Sequence, residues 1–148
     1  MRYDDALIGH WSSAPFDYGV MEGSDLAFLP DGRGWSVFAN LGGTSVTRFR
    51  WHCPAPGRLE IREEWSVSGQ WEWEGSTGGF SSVDEQRSRQ SVTVTGYTIG
   101  QEETAVGEPV PVTAVCFDEP VEFTTLYARG DRDIAPAQDP SYALRPYA

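Results

Sequence analysis

The feature that most constrains this chain is a regular alternation of apolar and polar residues between Asp25 and Ile61. A period of two residues is typical of a β-strand with one face buried and the other in water. Short segments rich in glycine, proline and aspartate interrupt the alternation at residues 30–34, 42–43 and 54–57. These are the residue types that tight turns require. The stretch therefore predicts an antiparallel meander of β-strands.

Similar strand patterns lie on both sides of this meander, and no long segment has the 3.6-residue period of an amphipathic helix. Residues 71–73 either extend the fifth strand or begin a separate hairpin. Residues 83–89 form either a helical turn or the start of the sixth strand. We predict eight strands, at residues 6–11, 25–29, 35–41, 45–53, 58–67, 90–99, 110–117 and 121–128.

An eight-stranded meander has two sheet edges, and closing the sheet on itself removes both of them. The sequence therefore predicts an all-β fold, a single antiparallel up-and-down β-barrel that occupies about residues 6–130. The length of 148 residues suits one domain, 1–148, with a substantial core. The tail at residues 131–148 contains three prolines and no strand pattern. We expect it to be irregular and either to lie across the barrel or to be partly disordered.

The composition is acidic, with 22 acidic residues against 11 basic residues and a formal net charge of −11. This charge opposes binding to nucleic acid or to anionic membranes, because both attract basic surfaces. The chain has no run of 18 apolar residues that could span a membrane, and its start lacks the apolar segment of a signal peptide. We therefore expect a cytoplasmic protein in which Cys53 and Cys116 are reduced, buried core residues.

Gly9 and Trp11 form a Gly-x-Trp motif in the first predicted strand. Three further motifs follow it: Leu26-x-Phe28-x-x-Asp31-Gly32-x-Gly34, Phe49-x-Trp51 and Leu59-x-Ile61. This ordered set, over about residues 6–67, resembles the small bacterial lipocalin-like domains of the calycin superfamily. The resemblance implies that Trp11 plugs the closed end of the barrel and that Arg129 packs over its ring by a cation–π contact. It also implies that the barrel binds a small apolar molecule. The prolines of the tail depart from the C-terminal helix of that family, which leaves a streptavidin-like or other calycin variant open.

Glu63 is the polar residue of greatest interest, because the alternation puts it on the same strand face as Leu59 and Trp65. If that face points inward, the carboxylate could anchor a ligand or act as a general acid or base. The alternative is that the face points outward or that the strand bulges, since an isolated buried carboxylate is costly. The predicted ligand-binding residues combine polar anchors with an apolar wall, and they are Glu63, Tyr97, Tyr127, Phe38, Phe49, Trp51 and Trp65.

Arg48, Arg50 and His52 share one face of the fourth predicted strand. They either bind an anionic ligand or lie in solvent, where they pair with Glu60 and Glu64 of the next strand. The chain contains no spacing typical of a metal site and no known nucleophile or phosphate-binding motif. We therefore predict no metal, no cofactor and no catalytic residue.

These features together predict a protein that binds a small apolar or aromatic molecule in the barrel without covalent chemistry. One alternative is a protein-interaction module, with a barrel filled by its own side chains and a partner surface formed by the tail and by Trp71 and Trp73. Another is a small cyclase or isomerase that uses the interior carboxylate. A homodimer is compatible with each of these functions.

Overall fold

The computed structural model describes residues 2–16, 22–74, 77–104 and 109–147. These residues form nine β-strands and one short 3₁₀ helix. No helix among them is long and apolar enough to cross a membrane. The strands are β1 (Gly9–Ser12), β2 (Gly23–Phe28), β3 (Arg33–Asn40), β4 (Gly43–Ala55), β5 (Arg58–Glu74), β6 (Thr77–Ser88), β7 (Val92–Glu103), β8 (Pro111–Val121) and β9 (Thr124–Arg129), and the helix is Pro136–Gln138.

The strands follow one another around a closed antiparallel barrel. Each strand from β1 to β5 pairs with its neighbour in the chain, as do β7, β8 and β9. The barrel closes where β9 pairs with β1, with Arg129 opposite Trp11. The long strand β5 pairs with β7 through residues 58–62 and with β6 through residues 65–74. The result is an eight-stranded barrel with β6 as one extra strand, which confirms the predicted fold class.

The hairpin turn predicted between β2 and β3 is present, and its residues suit its geometry. Asp31 accepts a hydrogen bond from the Arg33 amide at 3.0 Å. Gly32 has a φ of 88°, in the left-handed region that glycine adopts without strain. A Cβ at this position would also lie 2.7 Å from the Tyr3 hydroxyl oxygen. The backbone conformation therefore favours glycine at this turn, and a side chain there would also have to displace the Tyr3 ring.

Residues 2–8 cover one end of the barrel, which we call the closed end. Trp11 is fully buried there, and its indole nitrogen donates a hydrogen bond to a backbone carbonyl of this segment at 2.9 Å. The Arg129 guanidinium lies over the Trp11 ring, 4.1 Å from its centroid, so the predicted contact is present. Gly9 has a φ of 125°, and a Cβ there would lie 2.8 Å from the Asp131 carbonyl oxygen. The chain can make this close approach only with glycine.

The apolar side chains form two cores, one on each side of the barrel wall. The inner core fills the closed half of the barrel, where the Phe28 ring lies 5.6 Å from that of Phe49 and 5.2 Å from that of Trp51. The outer core lies between the sheet and the tail. The tail therefore lies across the barrel, which is one of the two arrangements expected from the sequence. The outer core contains Ala27, Leu29, Trp35, Val46, Trp65 and Val67, with Val37, Phe80, Ile134 and Tyr147 packed against them.

A β-bulge in β5 changes which of its side chains face the interior. Phe49 of β4 lies opposite Glu63. The preceding residue, Arg48, lies opposite Trp65, so Glu64 is an extra residue in β5. An extra residue reverses the faces of the strand that follows it. The strand therefore bulges, as the alternative for Glu63 allows, but Glu63 still faces inward. The prediction that Trp65 shares its face is wrong, because Trp65 lies in the outer core.

Most strand boundaries differ from the prediction by a few residues, and the structure also decides the alternatives that the sequence left open. The first strand begins at Gly9 rather than at residue 6, since residues 5–7 form a turn. Residues 71–73 extend β5, as one of the two alternatives predicts. Residues 83–88 belong to β6, so the helical alternative is wrong for them. The last residue pair between β4 and β5 is Thr44 with Gly69. Beyond it, the end of β5 pairs only with the start of β6, as far as Glu74 with Thr77.

The turn between β8 and β9 lies at residues 122–123, because Val121 pairs with Thr124. The strands predicted at 110–117 and 121–128 put this turn at residues 118–120, and that prediction is wrong because all three residues belong to β8. The ladder between β8 and β9 is irregular from Cys116 to Val121. Pro120 can therefore stay within the strand, since no ladder hydrogen bond depends on its missing N–H.

Cys53 and Cys116 are both free thiols. Cys53 is buried in the inner core, as predicted. The prediction that Cys116 is buried is wrong, because it is exposed. Its neighbours Val115 and Phe117 are both in the inner core, and successive side chains of a strand point to opposite faces, so Cys116 points outward.

Candidate functional site

Small polar side chains line the half of the barrel interior opposite the closed end, and we call that end of the barrel the mouth. Ser36 of β3 lies beside Thr47 of β4, which lies beside Ser66 of β5. Ser36 and Thr47 are buried although neither is apolar. The next row on the same face, toward the rim, consists of Phe38, Ser45 and Ser68.

The turn between β8 and β9 places a carboxylate over this polar wall. Glu122 accepts a hydrogen bond from the Ser36 hydroxyl at 2.9 Å, across the mouth of the barrel. Its φ is 61°, the only positive φ of a non-glycine residue in the described ranges. This conformation is costly for a residue with a side chain, and glycine, asparagine or aspartate usually occupies it in hairpin turns. Glu122 is therefore a candidate functional residue, since such strain clusters at functional sites.

Glu63 brings a second carboxylate to the same region. It lies on the inner face of β5, beside Phe49. One carboxylate oxygen is 3.2 Å from both Nε and Nη2 of Arg89, the residue that follows β6. The two side chains are 22% and 33% exposed, so the pair is partly screened from water. Glu63 thus faces the interior, as one of the two interpretations predicts, and Arg89 balances its charge.

We call Ser36, Glu63, Arg89 and Glu122 the mouth cluster. The pKa of Glu122 is raised above its ordinary value, mainly because the barrel wall partly shields its carboxylate from water, although the residue as a whole is exposed. The hydrogen bond from Ser36 lowers this pKa, the negative charge of Glu63 raises it, and the positive charge of Arg89 lowers it. A carboxyl group with a raised pKa is closer to the range in which it can accept or donate a proton near neutral pH.

Tyr127 forms the floor of the mouth beside Ser24. Their hydroxyl oxygens are 2.6 Å apart, and the Tyr127 hydroxyl also donates to the carbonyl of Val121, the residue before Glu122. Burial raises the pKa of Tyr127 to about 12, so its hydroxyl stays protonated at neutral pH. Because both hydrogen-bond partners of Tyr127 belong to the barrel itself, its main role here is to fix the position of the strand next to the turn.

Two aromatic rings lie at the rim of the mouth. The centroids of Phe38 and Phe123 are 5.6 Å apart. A pocket of about 240 Å³ lies beside Phe38, between the end of β3, the start of β4 and residues 68–69 of β5. Ser45, Ser68 and Asp84 also line it. The mouth therefore combines an apolar edge with polar groups farther in.

Four of the seven predicted ligand-binding residues lie away from the mouth. Phe49 and Trp51 are packed in the inner core, and the Trp51 indole donates to a backbone carbonyl at 3.0 Å. Tyr97 lies at the closed end, where it donates to Asp4 at 2.6 Å and where burial raises its pKa. Trp65 is in the outer core. The residues that the structure does bring to the mouth are Glu63, Phe38 and Tyr127.

Sequence reasoning missed Ser36, Arg89 and Glu122. The dipeptide Glu122–Phe123 contains none of the residues that mark a hairpin turn, and Glu122 lies within a predicted strand. Ser36 and Arg89 carry no local signal, since each acquires its role from a partner on a different strand or turn. Only the closed barrel brings these three side chains together.

The basic face of β4 is divided between two kinds of partner. Arg50 and His52 each pair with a glutamate of β5, at 3.3 and 3.4 Å, as one of the two interpretations predicts. Arg48 pairs instead with Asp139 of the tail, at 3.0 Å. Neither interpretation includes this contact, because the tail has no predicted structure.

Trp71 lies on the outer surface rather than in the barrel interior. Its ring is 5.2 Å from that of Phe80, edge to face. With Trp35 and Ile134 it lines a pocket of about 450 Å³ on the outer face. The side chain of Trp73 lies outside the described part of the chain.

The mouth cluster offers hydrogen-bonding groups rather than a metal site. Within the described ranges, no three side chains of His, Cys, Asp or Glu are placed to hold a metal ion. Comparisons of this chain with protein-family models, with curated proteins and with solved structures find no match. The chemistry of the site must therefore be derived from its geometry.

Proposed function

We propose that this protein binds a small, largely apolar or aromatic molecule at the open mouth of a lipocalin-like barrel. A polar group of the ligand, either a hydrogen-bond donor or a cation, pairs with the Glu122 carboxylate. The apolar part of the ligand lies against Phe38 and Phe123. Ligand sites commonly combine an apolar wall with a few polar groups in this way. The contact between Trp11 and Arg129 supports the relationship to calycin barrels.

The strained conformation of Glu122 is the observation that carries this proposal. A glycine would form the same turn at lower cost. The chain instead holds a carboxylate there, with one hydrogen bond from Ser36. A carboxylate has about four acceptor positions on its two oxygens. Glu122 therefore has acceptor capacity left for a ligand.

The proposed site lies nearer the rim than the sequence suggests. Phe49 and Trp51 fill the closed half, so they support the floor of the site without contacting a ligand. The site retains three of the predicted residues and adds three others. Its residues are Phe38, Glu63 and Tyr127, together with Ser36, Arg89 and Glu122.

A protein-interaction module is the second candidate, and the exposed strand β6 favours it. All residues from 81 to 88 are exposed, and within the described ranges β6 pairs only with β5. A free strand edge can pair with a strand of another chain, including a second copy in a homodimer. A cyclase or isomerase would use the same mouth carboxylates. A cytoplasmic location remains a prediction.

Native mass spectrometry of the purified protein, followed by denaturing analysis of the same sample, tests the leading proposal. We expect a small molecule of fixed mass that is bound under native conditions and lost on denaturation. Glu122→Gln keeps the shape of the side chain but removes its charge. It should lower the affinity about tenfold or more, the value of one charge-assisted hydrogen bond. Glu119→Gln is the matched control, because Glu119 is an exposed carboxylate of β8 outside the mouth cluster.

Titration with the apolar cationic dye auramine O provides a second test if nothing co-purifies. We expect dye emission to rise on binding and Glu122→Gln to reduce that response. A protein with no bound molecule and no dye response has no ligand site at the mouth, and the interaction module would then lead. Equal weakening by Glu122→Gln and Glu119→Gln would show that the mouth cluster is not the site.

A further inference from the structure

Five side chains on the outer face of the barrel form an alternating stack of guanidinium groups and aromatic rings. The guanidinium carbons of Arg33 and Arg48 lie 4.9 and 4.2 Å from the centroid of the Tyr147 ring. Those of Arg48 and Arg145 lie 5.0 and 5.1 Å from the centroid of Trp65. The order is thus Arg33, Tyr147, Arg48, Trp65 and Arg145, which we call the cation–π stack.

The positive charges of this stack are balanced at one end and in the middle, but not at the other end. Asp31 lies 2.6 Å from Arg33. Asp139 lies 3.0 Å from Arg48. Within the described ranges, no carboxylate forms an ion pair with Arg145. Since like charges so close together repel, this end of the stack attracts an anion.

A groove of about 380 Å³ lies along the stack, and all five side chains of the stack line it. Arg145 of the tail lines the groove, together with Arg50 of β4 and Ser88 of β6. Glu64 of β5 also lines the groove and pairs with Arg50 at 3.3 Å, but both side chains are more than half exposed, so this ion pair is weak. Four of the chain's 11 basic residues line this one groove, in a chain whose net charge is −11.

We propose that this groove binds a small molecule through an oxyanion, a carboxylate or phosphate group that contacts Arg145 and Arg50. Arginine suits such a group because its planar fork of N–H donors matches two oxygen atoms. The Arg145 guanidinium carbon lies over the Trp65 ring, 5.1 Å from its centroid, and a guanidinium that stacks on a ring still has its N–H edge available to a ligand. The Ser88 hydroxyl adds a further donor. This site lies outside the barrel wall and is separate from the mouth cluster.

An NMR titration of the arginine Nε–H signals tests the oxyanion site. Inorganic phosphate and acetate are added in separate series, with sodium chloride holding the ionic strength constant. We expect saturable shifts at Arg145 and Arg50 with at least one of the two anions. Saturation by phosphate alone identifies a ligand with a phosphate group, and saturation by acetate at similar concentrations identifies a carboxylate.

Arg50→Gln should raise the dissociation constant about tenfold or more, because it removes charge-assisted hydrogen bonds. This variant leaves the tail unchanged, so its weaker binding would not result from release of the tail. Arg58→Gln is the matched control, an exposed arginine at the start of β5, and should leave binding unchanged. Shifts that grow linearly with both anions would refute the site, as would equal weakening by the two variants.

Discussion

Replacing Asp139 with asparagine should loosen the tail from the barrel. The Asp139 side chain is fully buried, and that of its partner Arg48 is only 11% exposed. The same carboxylate accepts hydrogen bonds from the Ser141 amide and hydroxyl, at 2.7 and 2.6 Å, and from the Tyr147 hydroxyl. Asparagine keeps the shape of the side chain but removes the negative charge that balances Arg48 beneath the tail.

The expected loss of stability follows from the burial of this pair. Removing one partner of a buried ion pair costs about 3–5 kcal/mol, because the remaining charge stays desolvated. With a urea m value of about 2 kcal/mol per molar, the unfolding midpoint should fall by roughly 1.5–2.5 M. The tail can also undock and return Arg48 to water. That movement would expose Trp35 and Trp65 of the outer core and shift the native tryptophan emission to the red.

Urea unfolding followed by tryptophan fluorescence measures both effects. Asp133→Asn is the control, since Asp133 is an exposed carboxylate in the same tail, and it should change the stability by no more than about 0.5 kcal/mol. If Asp139→Asn unfolds at the wild-type midpoint with wild-type emission, the ion pair does not hold the tail. The rings of the outer core alone would then account for its docking.

Two further predictions concern the closed end and the mouth. Gly9→Ala should destabilise the protein by at least about 2 kcal/mol, because its φ of 125° and the nearby Asp131 carbonyl oppose a Cβ. Gly100→Ala, where a Cβ meets nothing within 4 Å, should stay within about 0.5 kcal/mol, and urea midpoints compare the two. The pKa of Glu122 is raised above its ordinary value of 4.5, so the folded state binds more protons than the unfolded state between the unfolded and folded pKa values. The stability of the protein therefore falls as the pH rises through that interval. Glutamine cannot ionise, so the free energy of unfolding of Glu122→Gln should increase relative to that of the wild type as the pH rises from acid to neutral. Urea titrations at each pH measure this difference, and a difference that does not change with pH would contradict the raised pKa.

The barrel was predictable because its determinants are local. The alternation from Asp25 to Ile61 sets which residues face the core, and the turn around Gly32 sets the register of β2 and β3. Both features can be read within a few neighbouring residues. The resemblance carried by Gly9 and Trp11 extended the prediction to one distant contact, with Arg129.

The candidate sites were less predictable because they depend on contacts between distant segments. Arg48 and Asp139 are far apart in sequence, and no local pattern joins them. The turn at Glu122 has no glycine, asparagine or aspartate to mark it, so it passes for strand. A prediction from periodicity also cannot detect one inserted residue, which is why it places Trp65 in the interior.

That inserted residue, Glu64, connects the mouth cluster to the cation–π stack. Without it, Glu63 and Trp65 would point to the same side of β5. If both pointed inward, the indole would occupy the mouth and the stack would lose the ring between two of its guanidinium groups. If both pointed outward, the carboxylate would leave the barrel and Arg89 would lose its partner. Bulges often re-aim a side chain next to a functional site. Here a single bulge supplies a carboxylate to one side of the barrel wall and an aromatic ring to the other, so both candidate sites depend on the same backbone irregularity.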